Sequence, residues 1–325
     1  MKIQNTLQLR FGARHLAAGG LLAALLCLLP ALTRAETAVQ AWVQRYNGQG
    51  NGNDSANAVA VDSSNNVIVT GCSLSNSTNG DYLTIKYSSA GVPLWTNRYN
   101  GPENRLDAAN AIAVDGSNNV VVTGCSYGAD GDQDFATIKY SSAGDPLWTN
   151  RYDFFSPDGL FLVQECAYAV AVDGSNNVIV TGMSVGNYSS DYATIKYSSA
   201  GVPLWTNRHD GPANYFDHAT AVAVDGSNNV IVTGYSWNGT NSDFATIKYI
   251  CVPEPVMTNL SGTDGTFQMR VDGVLQPGTL VIEASMDLAG WAPVFTNTTP
   301  TNVLFYADPE AANYPWRFYR AYQFP

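Results

Sequence analysis

The feature that most constrains this chain is a sequence unit that returns four times. The block Val61–Gly71 recurs almost unchanged, with further copies beginning at Val114, Val172 and Val224. A second block, Thr84–Tyr87, and a Trp-x-x-Arg block return with it in a constant order. Self-similarity at a period of about fifty residues is typical of folds built from equivalent units that bury their apolar faces against their neighbours. The sequence therefore predicts a row or ring of similar units.

Each unit contains the pattern of four short strands. Ala58–Val61 alternates small and branched residues, Val67–Thr70 is rich in β-branched residues, and Tyr82–Tyr87 and Leu94–Tyr99 follow after polar turns. The intervening Asp62–Asn66 is composed of Asp, Ser and Asn, whose side chains bond their own backbone and favour turns. Four strands in about fifty residues is the spacing of a β-propeller blade.

The phase of the repeat favours a closed ring. The first strand-like segment, Trp42–Tyr46, has a fourth-strand sequence, whereas the last unit stops at Tyr249 without one. We therefore expect an all-β fold in which residues 36–250 form a four-bladed β-propeller, closed by pairing of Trp42–Tyr46 beside Thr246–Tyr249. Closure of this kind removes exposed strand edges. An open arc, or a ring shared between chains, is the alternative.

The repeated block also carries a family resemblance. Its form Ala-Val-Ala-Val-Asp-Gly-Ser-Asn-Asn-Val-Ile-Val-Thr-Gly resembles the bacterial β-propeller repeat called SBBP and, more distantly, the NHL repeat. The resemblance covers residues 41–250. It implies a propeller in a secreted or surface protein, and it implies no particular activity.

A different pattern begins after the last repeat. Two prolines mark residues 251–257 as a linker, and residues 258–325 alternate strand-like segments with Gly, Pro and Asn turns. We expect five strands there, in a small β-sandwich-like domain. The segment resembles accessory modules found at the C-termini of many secreted bacterial proteins.

The N-terminal segment has the composition of an export signal. Residues 1–35 combine a basic start with an apolar stretch, and Thr33 and Ala35 are small residues at the positions that cleavage before Glu36 would need. We expect a protein that is secreted, periplasmic or on the cell surface. The alternative is a retained membrane anchor. Without the signal, we expect no membrane span.

The charge of the chain limits its partners. Cleavage would remove four of the 16 Lys and Arg residues and none of the 27 Asp and Glu residues, leaving a net charge of −15. Such an acidic protein repels nucleic acid and anionic membranes. We expect no nucleic-acid partner.

The sequence shows no recognisable catalytic motif. His209 and His218 are its only histidines after the signal, and no Gly-x-Ser-x-Gly elbow is present. We therefore expect a binding or scaffold protein rather than an enzyme. The alternatives are a secreted carbohydrate-active hydrolase or lyase and a purely structural surface or adhesion component. An enzyme would require acids that converge in one pocket with raised pKa values.

Acidic residues recur in register before the first strand of each unit. They are Asp54, Asp107, Glu165 and Asp217. If they converge at the mouth of a central channel, they could bind Ca²⁺, since this cation takes several oxygen ligands. The alternative is that each carboxylate accepts N–H groups of its own loop.

Ligand binding is expected at the loops that vary between units, because variable loops on a rigid frame commonly carry function. Aromatic residues in these loops could stack on a carbohydrate or on a protein ligand. The candidates are Tyr127, Phe154, Phe155, Tyr188, Tyr215 and Trp237.

An exported chain can form disulfides. Cys72 and Cys125 occupy the same position in successive units, so a ring would hold them too far apart to bond. We expect Cys125 to pair with Cys166 instead.

Overall fold

A computed structural model describes most of the chain. The described residues are 37–48, 51–75, 79–154, 164–186, 189–251, 255–261, 267–274, 278–301 and 303–324. They fall into two compact units, Met1–Val43 and Gln44–Pro325. Residues 37–48 form no strand. No helix in the described ranges has the length and apolar character needed to cross a membrane.

The repeat region folds into four antiparallel sheets. The first contains β1 (Asp54–Val61), β2 (Val67–Leu74), β3 (Gly80–Tyr87) and β4 (Pro93–Tyr99). The second contains β5 (Ala108–Val114), β6 (Val120–Tyr127), β7 (Gln133–Tyr140) and β8 (Pro146–Tyr152). The third contains β9 (Glu165–Val172), β10 (Val178–Gly186), β11 (Ser189–Tyr197) and β12 (Pro203–His209). The fourth contains β13 (Asp217–Val224), β14 (Val230–Trp237) and β15 (Ser242–Tyr249). The predicted all-β, propeller-like arrangement is confirmed at this level.

The turn between the first two strands of each sheet explains why the Asp-Gly-Ser-Asn-Asn block repeats. In the first sheet, Oδ1 of Asp62 accepts the backbone N–H groups of Ser64 and Asn66, and Asn65 adopts a left-handed φ of 61°. The ammonium of Lys86, on the third strand, reaches the other carboxylate oxygen at 2.9 Å. One Asp therefore fixes the turn and ties it to the third strand.

Neighbouring sheets pack face to face through apolar side chains. At the junction of the first and second sheets, Ile68 and Tyr82 pack against Val122 and Ile138. The fourth-strand Trp of one sheet also lies beside the third-strand Tyr of the next sheet. These ring pairs have centroids 5.5–5.9 Å apart and are Trp95–Tyr140, Trp148–Tyr197 and Trp205–Tyr249. One packing arrangement is thus used at all three junctions.

The predicted closure is not what the structure shows. The fourth sheet has three strands, and Trp42–Tyr46 forms no strand beside Thr246–Tyr249. Tyr46 instead packs on Leu83, Ile85 and Tyr87 of the first sheet. The physical reason is that this apolar face has no preceding sheet to cover it. The four sheets form an open row within the described part of the chain.

A disulfide joins the second sheet to the third. Cys125 and Cys166 are bonded, with Cα atoms 4.6 Å apart, and Cys72 is buried and free. Both parts of the sequence prediction are confirmed. The bond forms because the end of β6 lies against the start of β9 at the junction of these sheets.

The C-terminal segment forms two three-stranded sheets that share one core. The first contains β16 (Val256–Ser261), β17 (Phe267–Asp272) and β20 (Val303–Asp308). The second contains β18 (Thr279–Ser285), β19 (Ala292–Asn297) and β21 (Phe318–Phe324), and a short 3₁₀ helix covers Ala311–Asn313. Met269 and Val271 of one sheet pack with Leu280 and Ile282 of the other. β16 begins inside the segment predicted to be a linker, so the structure has one strand more than expected.

Candidate functional site

The repeat places acidic side chains at equivalent points of each sheet junction. The third strand begins with an Asp that pairs with the Arg of the fourth strand. These pairs are Asp81–Arg98, Asp134–Arg151 and Asp191–Arg208. Two further positions, just after the fourth strand and at the start of the next sheet, complete a trio at each junction. Their occupants are Asn100 with Asp107, Asp153 with Glu165 and Asp210 with Asp217.

At two junctions all three positions are acidic and close together. Between the third and fourth sheets, Asp191, Asp210 and Asp217 each bring a carboxylate oxygen within 4.8 Å of the others. Asp134 and Glu165 do so with Asp153 between the second and third sheets. We call these sets the exposed trio and the buried trio, respectively.

An aromatic surface adjoins the exposed trio. Tyr215 and Phe216 are 45% and 48% exposed, and their ring centroids are 4.2 Å apart. The ring of Trp237 lies 6.4 Å from that of Tyr215. Backbone hydrogen bonds hold this loop in place, from Ser190 N–H to the Tyr215 carbonyl and from Trp237 N–H to the Phe216 carbonyl. We call Tyr215, Phe216 and Trp237 the aromatic platform.

The platform and the exposed trio are physically joined at Asp217. This buried carboxylate accepts the backbone N–H groups of Gly211 at 2.6 Å and of Trp237 at 3.2 Å. Asp217 therefore fixes both the loop that follows the fourth strand and the strand end that carries Trp237.

The other two acids of the exposed trio have unlike surroundings. Asp191 is paired with the guanidinium of Arg208 at 2.7 Å. Asp210 is exposed, and partial desolvation, followed by the charges of Asp191 and Asp217, raises its pKa. A carboxyl group that keeps its proton more readily thus stands beside a carboxylate that is paired with a cation, which is the arrangement that acid–base chemistry requires.

The buried trio lies where the sequence departs from its own repeat. Phe154 occupies the position of Gly101 and Gly211, and Glu165 occupies that of Asp107 and Asp217. Glu165 accepts a hydrogen bond from Ser184 at 3.1 Å, but its Oε2 has no hydrogen-bond partner in the described ranges.

Burial dominates the ionisation of the buried trio. It raises the pKa of Glu165 to about 9 and the pKa of Asp134 to about 6. Burial, and then the charge of Asp130, also raise the pKa of Asp153.

A loop of the second sheet adds two more acids to this region. The segment from Asp130 to Asp134 carries a carboxylate at every second residue, and Asp130, Asp132 and Asp134 bring one oxygen each within 4.8 Å of the others. Burial, and then a hydrogen bond with Asp130, raise the pKa of Asp132 to about 7. The spacing of these acids is visible in the sequence and is a signal that our sequence analysis missed.

The four acids predicted to converge on a channel lie apart in the described structure. No acidic group of three draws on more than one of them, with Glu165 in the buried trio and Asp217 in the exposed trio. Asp54 and Asp107 accept backbone N–H groups of Gly48 and Gly101 at 2.8 and 2.6 Å. These contacts match the alternative in which each carboxylate serves its own loop.

The predicted aromatic ligand residues divide into three groups. Tyr215 and Trp237 belong to the platform. Tyr127 and Phe154 each lie 3.8 Å from a guanidinium carbon, of Arg105 and Arg208 respectively. Their faces are therefore occupied by cations. Phe155 and Tyr188 lie outside the described residues.

Comparison with models of protein families finds no match, and comparison with curated proteins finds none either. Among solved structures, the chain is similar to an α-L-arabinofuranosidase from Clostridium thermocellum, with 11% identity over 67% of this chain and 82% of that one and a TM-score of 0.37. It is also similar to a glycoside hydrolase, with 14% identity over 85% and 68% of the chains and a TM-score of 0.28. A third match is a tail fibre of Staphylococcus aureus phage P68, with 9% identity over 76% and 75% and a TM-score of 0.22.

These matches correct one expectation from the sequence. We expected a protein that is not an enzyme, and two of the three structures are glycoside hydrolases. TM-scores this low carry over no activity, substrate or catalytic residue. The chemistry of this chain is therefore argued below from its own side chains.

Proposed function

We propose that the protein is a carbohydrate-active hydrolase that acts outside the cytoplasm. The observation that carries the proposal is an exposed aromatic platform built against three converging carboxyl groups. Aromatic faces suit the apolar faces of sugar rings, and paired carboxyl groups suit the cleavage of glycosidic bonds. The disulfide between Cys125 and Cys166 supports an oxidising location.

In the proposed reaction, a glycan lies on Tyr215 and Trp237 with its scissile bond over the exposed trio. Asp210 gives its proton to the glycosidic oxygen as the bond from the anomeric carbon breaks. Asp191 attacks that carbon and forms a covalent glycosyl ester. Asp210, now ionised, takes a proton from water, which releases the sugar and restores both carboxyl groups.

The spacing of the acids supports this route over a single displacement. Oxygens of Asp191 and Asp210 lie within 4.8 Å of each other. Carboxyl groups about 5–5.5 Å apart are typical of enzymes that retain the anomeric configuration, whereas about 6.5–9.5 Å leaves room for an attacking water. The proposal therefore includes retention of configuration, which NMR of the first-formed product would detect.

Replacement of Asp210 by Asn is expected to lower kcat by at least about 100-fold, because the proton donor is lost. The measurement is reducing-sugar release by the purified protein from a panel of α- and β-linked polysaccharides. Replacement of Trp237 by Ala should raise KM roughly tenfold with a smaller change in kcat, since the platform binds substrate without reacting.

Asp81 provides the matched control. It occupies the position of Asp191 in the first sheet and pairs with Arg98, but Asn100 stands in the place of Asp210. The Asp81→Asn variant should keep full activity. Failure to release sugar from any substrate, or equal activity in the Asp210→Asn protein, would contradict the proposal.

A further inference from the structure

We propose that the loop Gly128–Asp134 binds a divalent cation, with Ca²⁺ as the ion that fits it best. This site is distinct from the exposed trio and independent of the hydrolase proposal. Its ligands are carboxylate oxygens of Asp130, Asp132 and Asp134.

The first support is that three carboxylate oxygens surround one point. A methyl group placed on Gly128 would lie 2.5 Å from Oδ1 of Asp130, 2.8 Å from Oδ2 of Asp134 and 3.5 Å from Oδ1 of Asp132. Three negatively charged oxygens around one small volume repel one another unless a cation lies among them. Gly128 carries no side chain, so the volume is open to an ion.

The second support is that buried oxygens here have no partner. Asp132 is 8% exposed and Asp134 is 3% exposed, yet Oδ1 of each lacks a hydrogen bond in the described part of the chain. A buried charged oxygen without a partner costs free energy. The orphaned Oδ1 of Asp132 is one of the three oxygens around the point beside Gly128, so a cation there would satisfy it.

The fourth sheet shows how the same loop is arranged without a need for an ion. There, Asn238 and Asn241 occupy the place of the extra acids, and their amide groups donate hydrogen bonds to Asp243 at 2.7 and 3.3 Å. Amide donors neutralise nothing but satisfy the carboxylate oxygens. The second sheet has carboxylates in place of these amides, so the donors must come from elsewhere.

The donor set selects the type of cation. All three ligands are hard oxygens on an irregular loop, with Gly131 at a φ of 91°. Ca²⁺ accepts six to eight such ligands in flexible geometry, whereas Mg²⁺ demands a near-ideal octahedron. Carboxylates leave room for water molecules to complete the coordination of Ca²⁺.

The test is calorimetric titration of chelator-treated protein with CaCl₂, paired with thermal unfolding. We expect saturable Ca²⁺ binding and a rise in Tm of about 5 °C at saturating Ca²⁺, because the ion binds only the folded loop. Asp132→Asn should lose the binding and the shift, while its Tm in chelator stays at or above that of the parent. If Asp132→Asn fails to fold, the exposed Asp130→Asn serves the same purpose.

Asp243→Asn is the matched control, since it changes the equivalent acid of the fourth sheet. It should keep the full calcium response. The proposal is overturned if millimolar Ca²⁺ gives neither heat nor a change in Tm, or if Asp132→Asn responds like the parent protein.

A second inference rests on different residues. We infer that two copies of the chain join head to tail, so that the two open rows of sheets close into one ring. Each copy would supply residues 42–46 as the missing strand of its partner's fourth sheet.

Tyr46 provides the first observation. Tyr99 and Tyr152 end the fourth strands of the first and second sheets, and their hydroxyl groups contact Arg151 and Arg208 of the following sheet. The hydroxyl of Tyr46 makes the same contact with Arg98 of the first sheet. Tyr46 therefore occupies the place of a fourth-strand Tyr from a sheet that should precede the first one.

The fourth sheet provides the second observation. Phe244 is 97% exposed, although its equivalents Tyr82, Phe135 and Tyr192 are at most 1% exposed. Those three residues are covered by a fourth strand and by the next sheet, and the fourth sheet has neither in the described structure. An exposed strand edge with a large apolar side chain is a surface prepared for pairing.

The two ends therefore complement each other, and their contact would repeat a junction that the chain already uses three times. Two copies related by a twofold axis would make two identical contacts and close the assembly. A ring of eight sheets lies within the range known for propellers.

The register of the new pairing follows from the first sheet. There, Tyr82 pairs with Tyr99 and Thr84 with Asn97. The equivalent positions pair Phe244 with Tyr46 and Thr246 with Gln44. Cysteines placed at Gln44 and Thr246 should therefore form a disulfide between copies, in a background where Cys72 and Cys251 are replaced by Ser.

The measurements are light scattering on the parent protein and non-reducing electrophoresis of the cysteine variant. We expect twice the chain mass and a covalent dimer, and Phe244→Asp should halve the mass. A monomeric parent protein, or a Gln44–Thr246 crosslink formed within one chain, would overturn the inference.

Discussion

Replacement of Asp115 by Ala is expected to lower the free energy of unfolding by about 3–5 kcal/mol, because it leaves a buried ammonium without its partner. The Nζ of Lys139 lies 2.8 Å from Oδ2 of Asp115, and the two side chains are 2% and 1% exposed. Asp115 also accepts the backbone N–H groups of Ser117 and Asn119. The substitution therefore breaks a turn as well as an ion pair.

The fourth sheet supplies a matched control for this variant. Asp225 makes the same contacts to Lys248, Ser227 and Asn229, but its side chain is 29% exposed and that of Lys248 is 52% exposed. Water can solvate that ammonium when the carboxylate is removed. Urea unfolding followed by circular dichroism should give a much smaller loss for Asp225→Ala. Equal losses in the two variants would contradict the explanation by burial.

The pH dependence of the same pair has a definite sign. Burial alone would raise the pKa of Asp115, but the hydrogen bonds from Lys139 and Asn119 outweigh it and lower the pKa. The stabilisation is therefore complete above the ordinary carboxyl pKa of about 3.9 and is lost as the pH falls through the lower, folded-state value. The difference between parent and Asp115→Ala should shrink in acid.

Removal of the disulfide is expected to have an effect of similar size. Cys125 and Cys166 are 41 residues apart, and the chain-entropy relation for a loop of this length gives about 4 kcal/mol. The variant with Ser at both positions should unfold at a markedly lower urea concentration. The bond also links the second sheet to the third, so its loss should loosen the junction that contains the buried trio.

Cys72 is the matched control for the disulfide. It occupies the position of Cys125 in the first sheet, and it is buried and free. Cys72→Ala should cost far less than the double substitution, and a reducing agent should shift the parent protein but not the double variant. A double variant as stable as the parent would show that the junction is held by side-chain packing alone.

Much of the fold is predictable because its causes lie close together in the sequence. The Asp62 turn, for example, depends on hydrogen bonds that span two to four residues, so it is recognisable without a structure. The strand pattern on either side of the turn follows from alternation and β-branching. The pairing of Cys125 with Cys166 was also predictable, because the repeat assigns each cysteine to a position within its sheet.

The candidate sites were only partly predictable. Asp54, Asp107 and Asp217 were expected to converge, but each accepts N–H groups of a glycine six residues earlier, a contact that satisfies the carboxylate locally. Glu165 differs because Phe154 replaces that glycine, and only its surroundings in the structure show that it is left partly unsatisfied.

By itself, the sequence determined the repeated unit, its turns, its strands and the all-β class, because these follow from interactions among near neighbours. The tertiary structure alone decided which faces remain open and which carboxyl groups meet. Tyr46 and Phe244 are ordinary members of the repeat in the sequence, yet one lies over the first sheet and the other is exposed at the end of the fourth. Asp191, Asp210 and Asp217 come together because neighbouring sheets pack at one angle and register. Such a contact depends on the free energy of the whole assembly of sheets, which no local pattern encodes.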